Sequence, residues 1–176
     1  TNSAIYLNSL MAPYMGGQIK VYKCPGDKIP SFNGDRIRSY SMNSQIASKG
    51  LVTDYSQGNF KLYDKSGDIS GSPSASELFV FGEESMLSLQ DGFWQVFSGA
   101  AYVFPDVPGS YHHWGGGMGF ADGHAELHAW KTKDIQIQVT KGARLSSIPA
   151  TGGIANADLL WLWRHTATKL TAPPLP

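Results

Sequence analysis

The sequence predicts an α+β fold: an antiparallel β-sheet with long loops and a C-terminal helix. Three observations predict it. Short apolar runs alternate with Gly, Pro, Asn and Asp clusters along most of the chain. Asp122-Gly123 sits between MGFA (118–121) and HAELHAW (124–130), which is a hairpin signature because Asp and Gly tolerate positive φ. ADLLWLWRHTATKL (157–170) has helical apolar density, with Asn156 and Asp158 as candidate N-caps. The 176 residues suit a single domain, 1–176, large enough to bury a core without disulfides.

The elements follow in order. Ile5, Leu7, Leu10 and Met11 suit one face of a short helix within 1–17, ended by Gly16-Gly17 and made irregular by Pro13. IKVYKC (19–24) alternates and reads as a strand closed by Pro25-Gly26-Asp27. Residues 28–36 form a loop with an Asn33-Gly34 turn, and IRSYSMNS (37–44) is a second strand. Residues 47–76 are a long loop holding a short strand at 60–63. LFVFGEE (78–84) is a central strand with Phe79 and Phe81 on one face, and FWQVF (93–97) is its successor. Residues 98–117 are a second long loop; its Gly115-Gly116-Gly117 run signals free turning or a close approach. IQIQV (135–139) alternates as an edge strand does, and 171–176 is a Pro-rich tail.

Composition excludes several functions. Charged residues are 16% of the chain, below the usual quarter, while 41% are hydrophobic and glycines number 20, the profile of a loop-rich extracytoplasmic domain. The 14 basic and 14 acidic residues cancel, and no Lys/Arg cluster follows a strand or helix, so no nucleic-acid partner is expected. No apolar stretch is long enough for a membrane span. No signal peptide is visible at Thr1, so the expectation is a soluble protein or a fragment whose export segment lies upstream. Cys24 is the single cysteine; either Lys23 lowers its pKa or it is a buried small residue ahead of a turn.

A two-residue turn at Asp122-Gly123 pairs Ala121 with His124, Phe120 with Ala125 and Met118 with Leu127. Met118, Phe120, Ala125, Leu127 and Ala129 then face the core, and His124, Glu126, His128 and Trp130 face away. The His-x-Glu-x-His row has two readings, a zinc site or the solvent face of an amphipathic strand. His112 either reaches the Asp122 turn and locks the loop or is an ordinary loop histidine beside His113.

YHHWGGGMGFADGHAELHAW (111–130) resembles the C-terminal box of a bacterial family of prepilin-like proteins, marked by His, nine residues, then Asp-Gly; His112 and Asp122-Gly123 fit it. APYMG (12–16), VYKCPGD (21–27), RSYSMNS (38–44), FGEESMLSLQDGFW (81–94) and DLLWLWRHT (158–166) agree in order. The resemblance implies a pilin-like globular head in a type II secretion or type IV pilus-like system. It implies a periplasmic, envelope or secreted location and other pseudopilins or secretion components as partners. The family's N-terminal hydrophobic helix is not in this sequence, so a truncated chain is expected. Calcium in the head of the major pseudopilins makes Ca²⁺ a candidate here.

Glu83, Glu84, Asp91, Asp122 and Glu126 converge at one end of the sheet if the strands bearing them are neighbours. Convergence would suit Ca²⁺ at Glu84, Asp91 and Asp122. It would equally suit a secreted or envelope glycoside hydrolase drawing on Glu83, Glu84, Asp91, Asp122, Glu126 and His112, with a glycan stacked on Trp94, Tyr102, Trp114 and Trp130. The plainer alternative is that Asp91-Gly92 and Asp122-Gly123 are simply turns. There is no Gly-x-Ser-x-Gly, phosphate loop or Cys-x-x-Cys, and the leading expectation is a non-enzymatic structural protein.

Overall fold

Short β-branched and aromatic runs need neighbours to bury their apolar sides, and here the neighbours are other strands. A computed structural model describes residues 3–32, 34–46, 59–97 and 101–170. Among these residues, five strands form one sheet in the order β3-β1-β2-β5-β6: β1 is Tyr40–Asn43, β2 Phe79–Glu83, β3 Phe93–Trp94, β5 Gly115–Phe120 and β6 Ala125–Ala129. All pairings are antiparallel except β1 with β3. A separate ribbon joins β4 (Val103–Phe104) to β7 (Ile148–Pro149). The helix α2, Ala157–Thr166, is capped by Asn156, whose side chain accepts from the backbone of Asp158 and Leu159. No helix among the described residues is long and apolar enough to cross a membrane.

The inner face of the sheet packs against α2. Phe79, Trp94, Met118 and Phe120 join Leu159, Leu162 and Trp163 in one buried cluster. Asp158 fixes how the helix meets the strands: its buried carboxylate accepts from the backbone of Lys131 and Thr132, just beyond β6, and from the Thr132 hydroxyl.

The hairpin differs from the expectation by one residue. Gly119 pairs with Ala125, Met118 with Glu126 and Gly117 with Leu127. Phe120 N–H donates to the His124 carbonyl and Gly123 N–H to the Phe120 carbonyl, so the loop has three residues, with Gly123 at φ 95°. Asp-Gly serves two- and three-residue loops alike, and the extra residue exchanges the faces of β6. Leu127 is 66% exposed, whereas Trp130 is buried and His128 faces inward with it, between Trp130 and Trp161.

A second irregularity corrects β2. The register shifts between Phe79, opposite Phe120, and Phe81, opposite Gly119. The extra residue breaks the alternation. Phe79 is therefore buried while Phe81 is 41% exposed on the outer face.

Other elements are shorter than expected or have no ladder. Ile19–Tyr22 is a 3-10 turn rather than a strand, because β1 already has neighbours on both sides. Residues 135–139 bury Ile135, and Ile137 and Val139 pack on the core, yet among the described residues no strand pairs with the segment. Alternation reports sidedness, not a partner. The N-terminal helix α1 covers only Ser3–Leu7, with turns following to Gly17. The strand expected at 60–63 reduces to isolated bridges at Phe60 and Tyr63. The second long loop ends early, since Gly115 already belongs to β5. Residues 47–58, within the first long loop, and the tail 171–176 lie outside the described residues.

Candidate functional site

Three segments far apart in sequence meet at the Glu83 end of β2. The first is the turn at Cys24-Pro25-Gly26-Asp27, closed by Asp27 N–H donating to the Cys24 carbonyl. Proline at the second position suits such a turn. Gly26 N–H donates to Cys24 Sγ at 3.1 Å. Cys24 N–H donates to Ser39 Oγ, which donates to Asp27 Oδ2, and Asp27 is ion-paired with Arg36. The turn's backbone thus holds the thiol, and the approach to β1 holds the Cys24 backbone.

The second segment supplies Glu83, the last residue of β2, whose side chain is fully buried. Both of its oxygens are engaged: Oε1 accepts from the Tyr40 hydroxyl at 2.9 Å, and Oε2 accepts from Gly117 N–H at 2.9 Å. The third is a turn whose ends, His112 and Gly115, exchange both backbone hydrogen bonds, with His113 at φ 50° and Trp114 at φ 67° between them. Two consecutive left-handed residues make a type I′ turn, which usually takes Asn or Gly. A tryptophan there is strained, and strain of this kind collects at functional sites. The turn directs His112 Nε2 to 3.1 Å from Cys24 Sγ and 3.1 Å from Glu83 Oε1.

Glycines make room for this meeting. A Cβ on Gly26 would lie 3.3 Å from both Cys24 Sγ and His112 Cε1, and one on Gly117 would lie 3.4 Å from the Glu83 carboxyl and the Tyr40 hydroxyl. Close approach, rather than freedom to turn, is therefore what Gly117 provides. Burial, with Glu83's hydrogen bond and charge adding to it, pushes the Cys24 thiol up to about 11. The thiol is protonated at neutral pH and is no standing nucleophile, so Lys23 does not activate it. Burial, followed by Glu83, also raises Tyr40.

The other candidate residues are placed as follows. Glu84, on the opposite side of the strand from Glu83, is enclosed and accepts from the Ser41 and Ser88 hydroxyls. Burial and the nearby Asp106 charge push it up to about 8. Asp91 Oδ1 accepts from Phe93 N–H, an Asx turn. Asp122 caps its own turn, accepting from His124 N–H at 3.1 Å and contacting His124 Nδ1 at 2.6 Å. Its backbone N–H donates to the Ala75 carbonyl, in the turn before β2, while Glu83 and Glu84 stand at the far end of β2, a strand about 13 Å long. Glu126 is exposed on β6. The sheet therefore does not gather Glu84, Asp91 and Asp122 around one ion, and the calcium set does not fit. His112 reaches Cys24 and Glu83 instead of Asp122. Of the aromatics expected to receive a sugar, Trp94 and Trp130 are buried, and only Tyr102 and Trp114 are exposed.

Among the described residues, Cys24, Glu83 and His112 are the one group of Cys, His and carboxylate side chains whose ligand atoms lie within 4.8 Å of one another. The sequence signals each member separately: Cys-Pro-Gly, Glu-Glu closing a strand, and His before a glycine run. Nothing local in the sequence signals their meeting. No protein-family model, curated protein or solved structure matches this chain.

Proposed function

We propose that this chain is the globular head of a pseudopilin-like structural protein. It acts in a type II secretion or type IV pilus-like system of the cell envelope, and it works by packing against other subunits rather than by catalysis. The observation that carries the reading is the outer face of the sheet. Phe81, Leu127 and Ala125 stand on it beside Gly117 and Gly119, around a shallow groove of about 480 Å³. Leu127 is 66% exposed although it lies in the middle of β6. The glycines keep the floor at backbone height, so an apolar rod can approach closely. A contiguous apolar face on a sheet marks a protein contact. The resemblance names an apolar helix of a pilin-like subunit as the occupant.

The test is a photo-reactive residue placed at Leu127 in the native cell envelope, with the same residue at exposed Leu145 as the control. The expected outcome is cross-linking to pilin-like subunits from position 127 and not from 145. Equal labelling from both positions, or turnover of chromogenic glycosides that Glu83→Gln abolishes, would overturn the reading.

A further inference from the structure

The His112 imidazole separates two kinds of chemistry. In a thiol–imidazole–carboxylate relay, the two ring nitrogens divide the work: one faces the thiol and the other the carboxylate. Here the same nitrogen, Nε2, lies 3.1 Å from both Cys24 Sγ and Glu83 Oε1. One nitrogen holds either one proton or one lone pair, so it satisfies two neighbours poorly. Three lone pairs converging on one point are instead what a cation receives.

We propose that Cys24 Sγ, Glu83 Oε1 and His112 Nε2 are the three protein ligands of a site for a zinc-class divalent cation. The ion would tie the Cys-Pro-Gly turn, the end of β2 and the His112 turn together. The spacings suit it. Tetrahedral zinc with bonds of about 2.0–2.3 Å places neighbouring ligands about 3.3–3.5 Å apart, a few tenths of an ångström beyond the separations here. The donor set selects the metal: thiolate with imidazole favours zinc, cobalt or nickel, and disfavours calcium and magnesium, which take oxygens.

The surroundings are those of a built site. Tyr40 and Gly117 N–H orient the Glu83 carboxylate, and Gly26 N–H donates to the sulfur. Supporting hydrogen bonds of this kind fix ligand orientation. No fourth Cys, His or carboxylate comes within range among the described residues, which leaves the fourth position to water or an outside ligand. Access exists on two sides: the His112 side chain is 32% exposed, and Cys24 lines a cleft of about 570 Å³ with Lys20, Lys23 and Arg36. Binding replaces the thiol proton with the metal, and that proton leaves to solvent. The proposal is independent of the pseudopilin reading, since either can fail while the other stands.

The experiment titrates the reduced full chain with Co²⁺ and then displaces it with Zn²⁺. The expected result is one equivalent per chain, a thiolate-to-cobalt charge-transfer band, and loss of that band on adding Zn²⁺ but not Ca²⁺. Cys24→Ser should abolish the band. His112→Gln, at a partly exposed position that tolerates the change, should weaken binding about 100-fold. His124→Gln should bind as the parent does. Should Cys24→Ser fail to fold, alkylation of the parent Cys24 decides, because Zn²⁺ must slow it at least tenfold. A folded parent chain that binds no Co²⁺, or binds it without the band, overturns the proposal; so does His112→Gln with unchanged affinity.

Discussion

The two faces of the sheet use histidine in opposite ways. On the outer side, at the Glu83 end, His112 meets polar atoms and ring stacking plays no part in its placement. On the inner side, the histidines are packed as aromatic rings. His128 stacks on Trp161 at 3.7 Å between ring centroids, Trp161 stacks on His165 at 4.0 Å, and His124 stacks on Phe120 at 4.4 Å. A histidine's role is set by what its nitrogens face. His128 Nε2 is buried with no hydrogen-bond partner, a cost that packing offsets, whereas His112 Nε2 is offered two ligand atoms.

Trp161 holds the inner stack together. Trp161→Ala removes the ring between His128 and His165 and should destabilise by about 3 kcal/mol, measured by chemical denaturation. Cobalt binding by the folded variant should not change, because the ligands lie on the other side. Nearly as large is the effect of metal on the parent chain. Zn²⁺ at a hundredfold over its dissociation constant should add about 2.7 kcal/mol and raise Tm, and His112→Gln at the same Zn²⁺ concentration should keep only about 0.4 kcal/mol of that increment. An equal Tm rise in His112→Gln would mean that the inner histidines bind the metal.

These assignments were only partly legible in the sequence. The α+β class, the 78–84 strand, the hairpin and the Asn156 cap were readable because each rests on a local signal: alternation, Asp-Gly, or an amide ahead of an apolar run. What failed was counting. One extra residue at the hairpin turn and one shifted in β2 were enough to exchange Leu127 with His128 and to separate Phe81 from Phe79. The site was hidden for a different reason. Cys24, Glu83 and His112 each stood out, yet their meeting depends on which strands are neighbours, a non-local property. The glycine run suggests a loop because glycine signals turns more often than crowded strands, and here it lies in β5.

The pH response sharpens the inner side alone. Burial is the main cause that depresses His128 from 6.5 to about 4, with His165 and Lys131 adding to it and Asp158 opposing it. A depressed histidine contributes stability that is fully present above its unfolded pKa. That stability is lost as pH falls from about 6.5 towards 4, because the unfolded chain takes up the proton first. The gap sets an upper limit of about 3 kcal/mol. Partial exposure and solvent screening reduce the expected loss to about 1–2 kcal/mol. His128→Phe keeps the stack and removes the titration, so its stability should match or exceed the parent at pH 7 and fall less between pH 6.5 and 4.5. A variant as acid-sensitive as the parent would assign the loss to other groups.

The smallest effects separate the two ends of one hairpin. Gly123 has φ 95° and open space around its missing Cβ, so Gly123→Ala meets no neighbour and is resisted only by backbone strain, about 1 kcal/mol. Gly117 does not have a positive φ, but its Cβ would come into contact with the Glu83 carboxyl and the Tyr40 hydroxyl. Gly117→Ala should therefore leave stability nearly unchanged, since alanine also restricts the unfolded chain. It should weaken Co²⁺ binding about tenfold by displacing a supporting contact. The crossed outcome is the point of the pair: one glycine governs folding without touching the metal, and the other governs the metal without touching folding. If Gly123→Ala weakened cobalt binding as much as Gly117→Ala, the cluster would depend on the whole hairpin's rigidity, and Gly117 would have no special part in positioning Glu83.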